Sequence, residues 1–209
     1  MTPILYSFRR CPYAMRARLA LAVTQTEVAL REVVLRDKPA AFLTASPSAT
    51  VPCLITGTGV IDESLDIMKW ALAQRDPENW LSMPETGNDW IARADGPFKH
   101  ALDRTKYASR YPTEDAASHR TAASAFLRDL DRALDPWLFA QPSLADYAIL
   151  PFVRQFAFID KTWFDAQPWP DLHKWLDRFL ISDRFAAIMQ KYPQWRDGDA
   201  PVLFPMASV

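Results

Sequence analysis

An α/β domain over residues 1–75 followed by an all-α domain over 89–209 is the architecture this sequence predicts. Three observations carry it. Short apolar runs and helical stripes alternate up to residue 75 in the order β-α-β-α-β-β-α. Both patterns then lapse across 76–88, where Asp76-Pro77-Glu78-Asn79 and Met83-Pro84-Glu85-Thr86-Gly87 read as a link between domains. Beyond it no convincing strand appears.

Residues 3–7 form a short apolar strand. Met15, Leu19, Ala22 and Val23 then fall at i, i+4, i+7 and i+8, one stripe of a helix. Pro12 stands at its first position, where the missing N–H would have been unpaired anyway. Residues 29–35 make a second strand, Arg36-Asp37-Lys38 a polar loop, and 39–43 the start of a short helix, again with proline in the first turn. Ser46-Pro47-Ser48-Ala49-Thr50 is a loop by composition. Residues 51–55, 56–59 and 60–62 read as strand, tight turn and strand, with Gly57 and Gly59 implying an antiparallel hairpin. The next helix opens at Asp62-Glu63-Ser64-Leu65 and keeps Leu65, Met68, Ala71 and Leu72 at helical spacing. A helical crossover favours parallel pairing in the first half, and a hairpin with a covering helix completes the second. That is the element order of a thioredoxin-like domain.

In the second half, 89–94 and 97–110 are helical, with Gly96-Pro97 either a kink or a new helix start. Residues 117–134 form a long helix with Ala122, Phe126, Leu130 and Leu134 in i+4 steps. Ser143-Leu144-Ala145-Asp146 has the form of a capping box with Asp in place of Glu. The helix it opens, through Phe156, is apolar on most faces and is expected to be the buried spine, bent at Pro151. Residues 170–181 and 184–191 make the last helices. The tail from Trp195, with Gly198, Pro201 and Pro205, is expected to be irregular.

Composition narrows the function. A net charge of −1 over 209 residues gives no reason to expect a nucleic-acid or membrane-surface partner. No apolar run approaches the ~20 residues of a bilayer span, and the first residues lack the form of a signal peptide, so a cytoplasmic location is expected. Two cysteines make no disulfide framework, and neither pairs with His100, His119 or His173 at zinc-ligand spacing, so no metal is expected. No Gly-rich phosphate motif is present.

Cys11 is the residue with chemistry. Its predicted place is the N-cap of the first helix, where free backbone N–H groups and the positive end of the helix dipole meet its sulfur. Arg9, Arg10, Arg16 and Arg18 add positive charge nearby. A free thiol titrates near ~8.5, and each tenfold gain in thiolate needs only ~1.4 kcal/mol. Cys11 is therefore expected to be a thiolate nucleophile; a small buried residue at a strand–helix corner is the alternative. Cys53, in a predicted central strand, is read as core.

Four segments resemble one family. Cys11-Pro12-Tyr13-Ala14, Asp37-Lys38-Pro39-Ala40-Ala41-Phe42, Val51-Pro52 and Asp62-Glu63-Ser64 are similar to the glutathione-binding half of the glutathione transferases. Ser143-Leu144-Ala145-Asp146 resembles the capping motif of that family's helical domain, so the likeness covers nearly the whole chain. Within the superfamily the chain is most similar to cysteine-type members, the omega class and the glutaredoxin-2-like proteins.

The resemblance implies the glutathione transferase architecture, glutathione as co-substrate and no metal. It implies Cys11 as the catalytic thiol. It further implies that Lys38, Val51, cis-Pro52, Glu63 and Ser64 bind glutathione. Pro52 in cis would present the Val51 backbone to an extended peptide, and Glu63-Ser64 at a helix N-terminus suits the γ-glutamyl end. Ala14 stands where a dithiol enzyme carries its second cysteine, which favours a monothiol thiol transferase or reductase working through a Cys11–glutathione mixed disulfide. Glutathione conjugation to electrophiles and a non-catalytic binding protein are the alternatives. Phe8 and Tyr13 are pocket candidates beside Cys11, and Tyr107, Phe152, Phe156 and Trp163 are candidates for a hydrophobic co-substrate site. The partners implied are a small hydrophobic or disulfide co-substrate and a second copy of the chain in a homodimer.

Overall fold

The computed structural model describes residues 2–205. Their contacts divide into two units: the described residues of Met1–Asn79 together with Ser182–Val209, and Trp80–Ile181.

The first unit begins β1 (Ile4–Ser7), α1 (Pro12–Thr24), β2 (Val28–Glu32), α2 (Ala40–Ala45), β3 (Cys53–Thr56), β4 (Gly59–Ile61) and α3 (Ser64–Gln74), in the expected order. β1 and β2 are parallel, with Ile4 opposite Ala29 and Ser7 opposite Glu32, as a helical crossover requires. β3 runs antiparallel to both β1 and β4. Gly59, which opens β4, has φ of 148°, a conformation that only glycine adopts readily. The result is a thioredoxin-like sheet. The second strand ends at Glu32, three residues earlier than expected, because Val34 pairs locally with Asp37 instead.

The second unit is helical: α4 (Thr86–Arg93), α5 (Lys99–Lys106), α6 (Ala116–Ala133), α7 (Leu144–Ala157), α8 (Lys161–Asp165) and α9 (Pro170–Leu180). A π-helical turn over Ala94–Phe98 joins α4 to α5. Gly96-Pro97 is thus neither break nor new start: the widened turn absorbs the N–H that proline lacks. On α6 the buried face is Ala123, Phe126, Leu127 and Leu130, while Ala122 is exposed. A strict i+4 ladder drifts off a 3.6-residue helix, which is why that end of the stripe misses.

α7 is buried along most of its length, Pro151 included. Its capping residue does more than cap. Asp146 is fully buried and accepts from the Ser143 N–H (2.9 Å) and Oγ–H (2.8 Å), the Leu138 N–H (3.1 Å) and the Trp175 indole N–H (3.0 Å). Burial pushes its carboxyl above the usual value, and these four bonds pull the other way. Asp131 caps α9 in a similar manner, accepting from the Asp171 and Leu172 N–H groups at 2.9 Å each.

The link expected over 76–88 is not loose throughout. Trp80 is fully buried, stacks on Tyr147 with centroids 4.0 Å apart, and accepts the Leu144 N–H at 2.9 Å. It anchors the chain within the helical unit.

The helical half also ends earlier than expected. After Ile181 the chain rejoins the sheet unit, where α10 (Asp183–Ile188) packs on α1 and β5 (Val202–Phe204) pairs antiparallel with β2. The sheet order is therefore β4-β3-β1-β2-β5. The tail expected to be irregular supplies the edge that β2 otherwise exposes, since an unpaired strand edge leaves a row of polar backbone groups to satisfy. Trp195 is buried with it: its N–H donates to the Glu32 carbonyl at 2.8 Å, and the Arg31 guanidinium lies 3.9 Å over its ring. Among the described residues, no helix is long and apolar enough to cross a membrane.

Asp146→Ala would strand the Trp175 and Leu138 N–H groups in the core of the helical unit. The expected loss is about 2–4 kcal/mol, read as a lower urea midpoint. Asp129→Ala, which removes an exposed surface pairing with Arg93, should change stability by less than about 1 kcal/mol.

Candidate active site

The loop from β1 to α1 places Cys11 at the N-cap of α1, in extended conformation (φ −75°, ψ 124°), with Pro12 at the first helical position. The Cys11 N–H donates to the Phe8 carbonyl at 2.9 Å, and its own carbonyl accepts from the Met15 N–H at 3.0 Å. The side chain is half-buried, and its Sγ lies 3.6 Å from the Val51 carbonyl oxygen, to which the thiol donates. The Val51–Pro52 peptide bond is cis. Cys11 and Phe8 both pack against a core of Tyr6, Val33, Phe42, Val51, Cys53 and Trp195.

The four arginines near Cys11 have separate fates. Arg10 is exposed, with its guanidinium 5.9 Å from the centre of the Phe8 ring. Arg16 is buried and lies 5.9 Å from the centre of the half-buried Tyr13 ring. Arg18 is fully buried: Nη1 donates to Ser7 Oγ at 2.9 Å, and Nη2 to the Arg9 carbonyl at 2.6 Å. Arg9 contributes its backbone N–H, which donates to Glu32 Oε1 at 2.6 Å, while Glu32 Oε2 stands 3.7 Å from Arg18 Nη1. Burial pulls the Arg18 guanidinium down to about 10, with Glu32 opposing, so it remains protonated at neutral pH. Burial pushes the Glu32 carboxyl up, against the Arg9 N–H and the Arg18 charge.

Cys53 is a different kind of thiol. It is fully buried on β3, and burial first, then Asp62, pushes it up to about 12. Asp62 also accepts from Ser46 Oγ at 3.2 Å and the Ser48 N–H at 3.1 Å. Burial alone would raise the Asp62 carboxyl, but the hydrogen bonds from Cys53, Ser48 and Ser46 hold it below its usual value. Asp62 thereby latches the loop that leads into Val51.

Of the other expected residues, the structure brings Lys38 to this loop. Lys38 Nζ donates to the Ala49 carbonyl at 3.0 Å, two residues before Val51. Ala49 itself has φ of 53°, a left-handed conformation uncommon for a residue with a Cβ. Glu63 is exposed at the N-cap of α3 and makes no side-chain capping bond there, and Ser64, at the first helical position, is buried. Tyr107 belongs to the helical unit, where it ends α5 with the Lys106 and Arg110 cations 5.4 and 4.4 Å from its ring centre. Phe152 and Phe156 are core residues of that unit. Trp163 lines an open groove of about 460 Å³ in the same unit, together with Arg120 and Arg128.

Sequence reasoning missed Glu32 and the inward role of Asp62. An acidic residue in a predicted parallel strand, with Arg16 and Arg18 on the preceding apolar helix, was the available signal for the first. No local pattern marks the second.

A cysteine at the start of the first helix, facing a cis-proline loop across a mixed sheet, makes the first unit a thioredoxin-fold domain, and a helical domain follows it. Family models narrow that class. Residues 5–80 match "Glutathione S-transferase, N-terminal domain" and residues 88–178 match "Glutathione S-transferase, C-terminal domain". The chain belongs to the glutathione S-transferase superfamily. It is 29% identical over 171 residues to Protein IN2-1 homolog B of Oryza sativa subsp. indica, a match that takes in 74% of this chain and 65% of the rice protein. Among solved structures, glutathione transferase Omega 3C from Trametes versicolor superposes with a TM-score of 0.76 at 19% identity, over 91% of this chain and 84% of that one. Glutathione transferase URE2P6 from Phanerochaete chrysosporium, in complex with oxidized glutathione, gives 0.75 at 18% identity, over 90% and 94%.

Two measurements test this description of the site. A thiol reagent applied to the native protein at pH 7 should label one cysteine, Cys11, and the second only in denaturant; labelling of native Cys53 would contradict its burial. Because hydrogen bonds lower the Asp62 pKa, the stability it contributes is present above the ordinary carboxylate pKa of ~3.9 and is lost as pH falls through its folded value. Asp62→Asn should therefore destabilise at pH 7, and the difference from wild type should shrink as pH falls below ~3.9, read by urea unfolding across that range.

Proposed function

We propose that the protein is a glutathione-dependent thiol transferase or reductase that works through a covalent Cys11–glutathione mixed disulfide. The observation that carries this reading is the half-buried Cys11 sulfur at the N-cap of α1, 3.6 Å from the backbone of a cis-proline loop. Helix N–H groups favour its thiolate, and the neighbouring loop offers a backbone for an extended peptide to pair with. Glutathione is such a peptide, and the Phanerochaete neighbour holds it in oxidized form.

In this reading Val51 pairs with the cysteinyl part of glutathione, Glu63 and Ser64 take the γ-glutamyl end, and Lys38 takes a carboxylate. The Cys11 thiolate attacks the glutathionyl sulfur of a mixed disulfide, and the S–S bond breaks with the other thiolate leaving. A second glutathione thiolate then attacks the Cys11–S–SG bond, releasing oxidized glutathione and restoring the Cys11 thiolate. Each step exchanges one S–S bond for another, so no further oxidant is needed. A monothiol route is supported by Ala14 in the turn after Cys11 and by the buried, poorly ionised Cys53. Phe8 and Tyr13 are the pocket residues of this reading, which also takes the enzyme as cytoplasmic and homodimeric.

Cys11→Ser should reduce turnover of a glutathione mixed disulfide by at least about 100-fold, and mass spectrometry of the wild type should find one glutathionyl group on Cys11. Turnover that survives the substitution sinks covalent catalysis. Lys38→Ala should raise the KM for glutathione by about 3–30-fold, the loss of one charge-assisted contact, with kcat little changed. Faster turnover of an aryl halide than of the mixed disulfide would favour conjugation instead.

A further inference from the structure

Behind Cys11 lies an ion pair that is poorly built as an ion pair. Arg18 and Glu32 are buried, yet their closest charged atoms stand 3.7 Å apart, and Arg18 Nε and Glu32 Oε2 are buried without a hydrogen-bond partner. A buried pair seldom stabilises a protein more than well-packed apolar side chains would. What these two residues do well is hold one stretch of backbone. Glu32 Oε1 accepts the Arg9 N–H and Arg18 Nη2 donates to the Arg9 carbonyl, so the two backbone groups of a single residue are gripped by opposite charges. Arg18 Nη1 holds Ser7 Oγ, where β1 ends, and the Phe8 carbonyl next to Arg9 accepts the Cys11 N–H.

We infer that Arg18 and Glu32 are positioning residues for Cys11: together they set the course of the Ser7–Cys11 loop, and their opposed charges act on the sulfur with opposite sign. The inference rests on the reading of Cys11 as the nucleophile. The charged and titratable groups that face Arg18 are Glu32 from β2, Arg9 and Cys11 from the loop, and Tyr192 from the C-terminal segment. Arg18 acts on Cys11 more directly than Glu32 does: the Cys11 charge is among those that favour protonated Arg18, whereas Glu32 responds to Arg9 and Arg18. The C-terminal segment closes the pair from the outside. The Trp195 N–H binds the Glu32 carbonyl, and Tyr192, Gln194 and Trp195 line one cleft with Glu32.

The test is the pH profile of Cys11 alkylation by iodoacetamide in the full chain, with no glutathione present. Glu32→Gln keeps an acceptor for the Arg9 N–H and removes the negative charge, so the midpoint should fall. Arg18→Met alone would leave Glu32 buried and unpaired, so the second variant is the double Arg18→Met, Glu32→Gln, whose midpoint should rise above that of Glu32→Gln. A shift of about one pH unit in each comparison corresponds to about tenfold in rate below the midpoint. A purely structural role predicts slower or unchanged labelling in both variants. The inference is overturned if the Glu32→Gln midpoint does not fall, or if that of the double variant does not rise above it. Should the wild-type midpoint itself lie near ~8.5 while both shifts occur, the nucleophile reading fails and the positioning role stands. Should the wild-type midpoint lie below neutrality and neither shift occur, the reverse holds.

Discussion

The first turn of α1 is the constraint on which the site depends. This helix is buried along most of its length, with every residue from Ala14 to Leu21 out of solvent. Its start is therefore set by packing. Pro12 begins the turn without needing an N–H partner, and Cys11 occupies the N-cap without making a side-chain capping bond. The first-turn N–H groups of a helix lack intrahelical partners, and in the proposed reading they face the Cys11 thiolate.

Two cysteines in one unit show how far environment decides chemistry. Both pack on the same core, and Val51 lies in that core too. Cys53 points into it and meets the Asp62 carboxylate, so its ionised form is opposed by both burial and charge. Cys11 sits at the edge of the same core, half open, with a helix start on one side and a backbone carbonyl on the other. Asp62 links the two settings, because the carboxylate that silences Cys53 also fastens the 46–48 loop ahead of Val51.

The helical unit follows the same logic of buried charge under full hydrogen bonding. Asp146 ties its own helix start, the Leu138 backbone and the Trp175 indole to one carboxylate. Four accepted hydrogen bonds offset part of the desolvation of this carboxylate, whereas the same site with the carboxylate removed leaves buried donors unsatisfied. Arg18 and Glu32 differ in this respect: their bonds run mainly to the loop, and Arg18 Nε and Glu32 Oε2 go without a hydrogen-bond partner.

Much of this was legible in the chain itself. The alternation of strands and helices, the cysteine followed by proline, Val51-Pro52, and Ser143 with Asp146 are local patterns, and local backbone chemistry is enough to read them. The three-residue β5, the anchoring of Trp80 and the return of 182–205 to the sheet unit were not legible. A strand that short has no period to detect, and its partner β2 lies far away in sequence. By itself the sequence determined most of the elements and where Cys11 stands on its helix, because those follow from residues within a few positions of one another. Tertiary structure alone decided that Glu32 grips Arg9 and that Asp62 turns inward to Cys53. Arg9 and Glu32 are 23 positions apart, and Cys53 opens β3 while Asp62 follows β4, the two strands of a hairpin. No repeat within one element marks either pairing; burial and distance are what give them their energy.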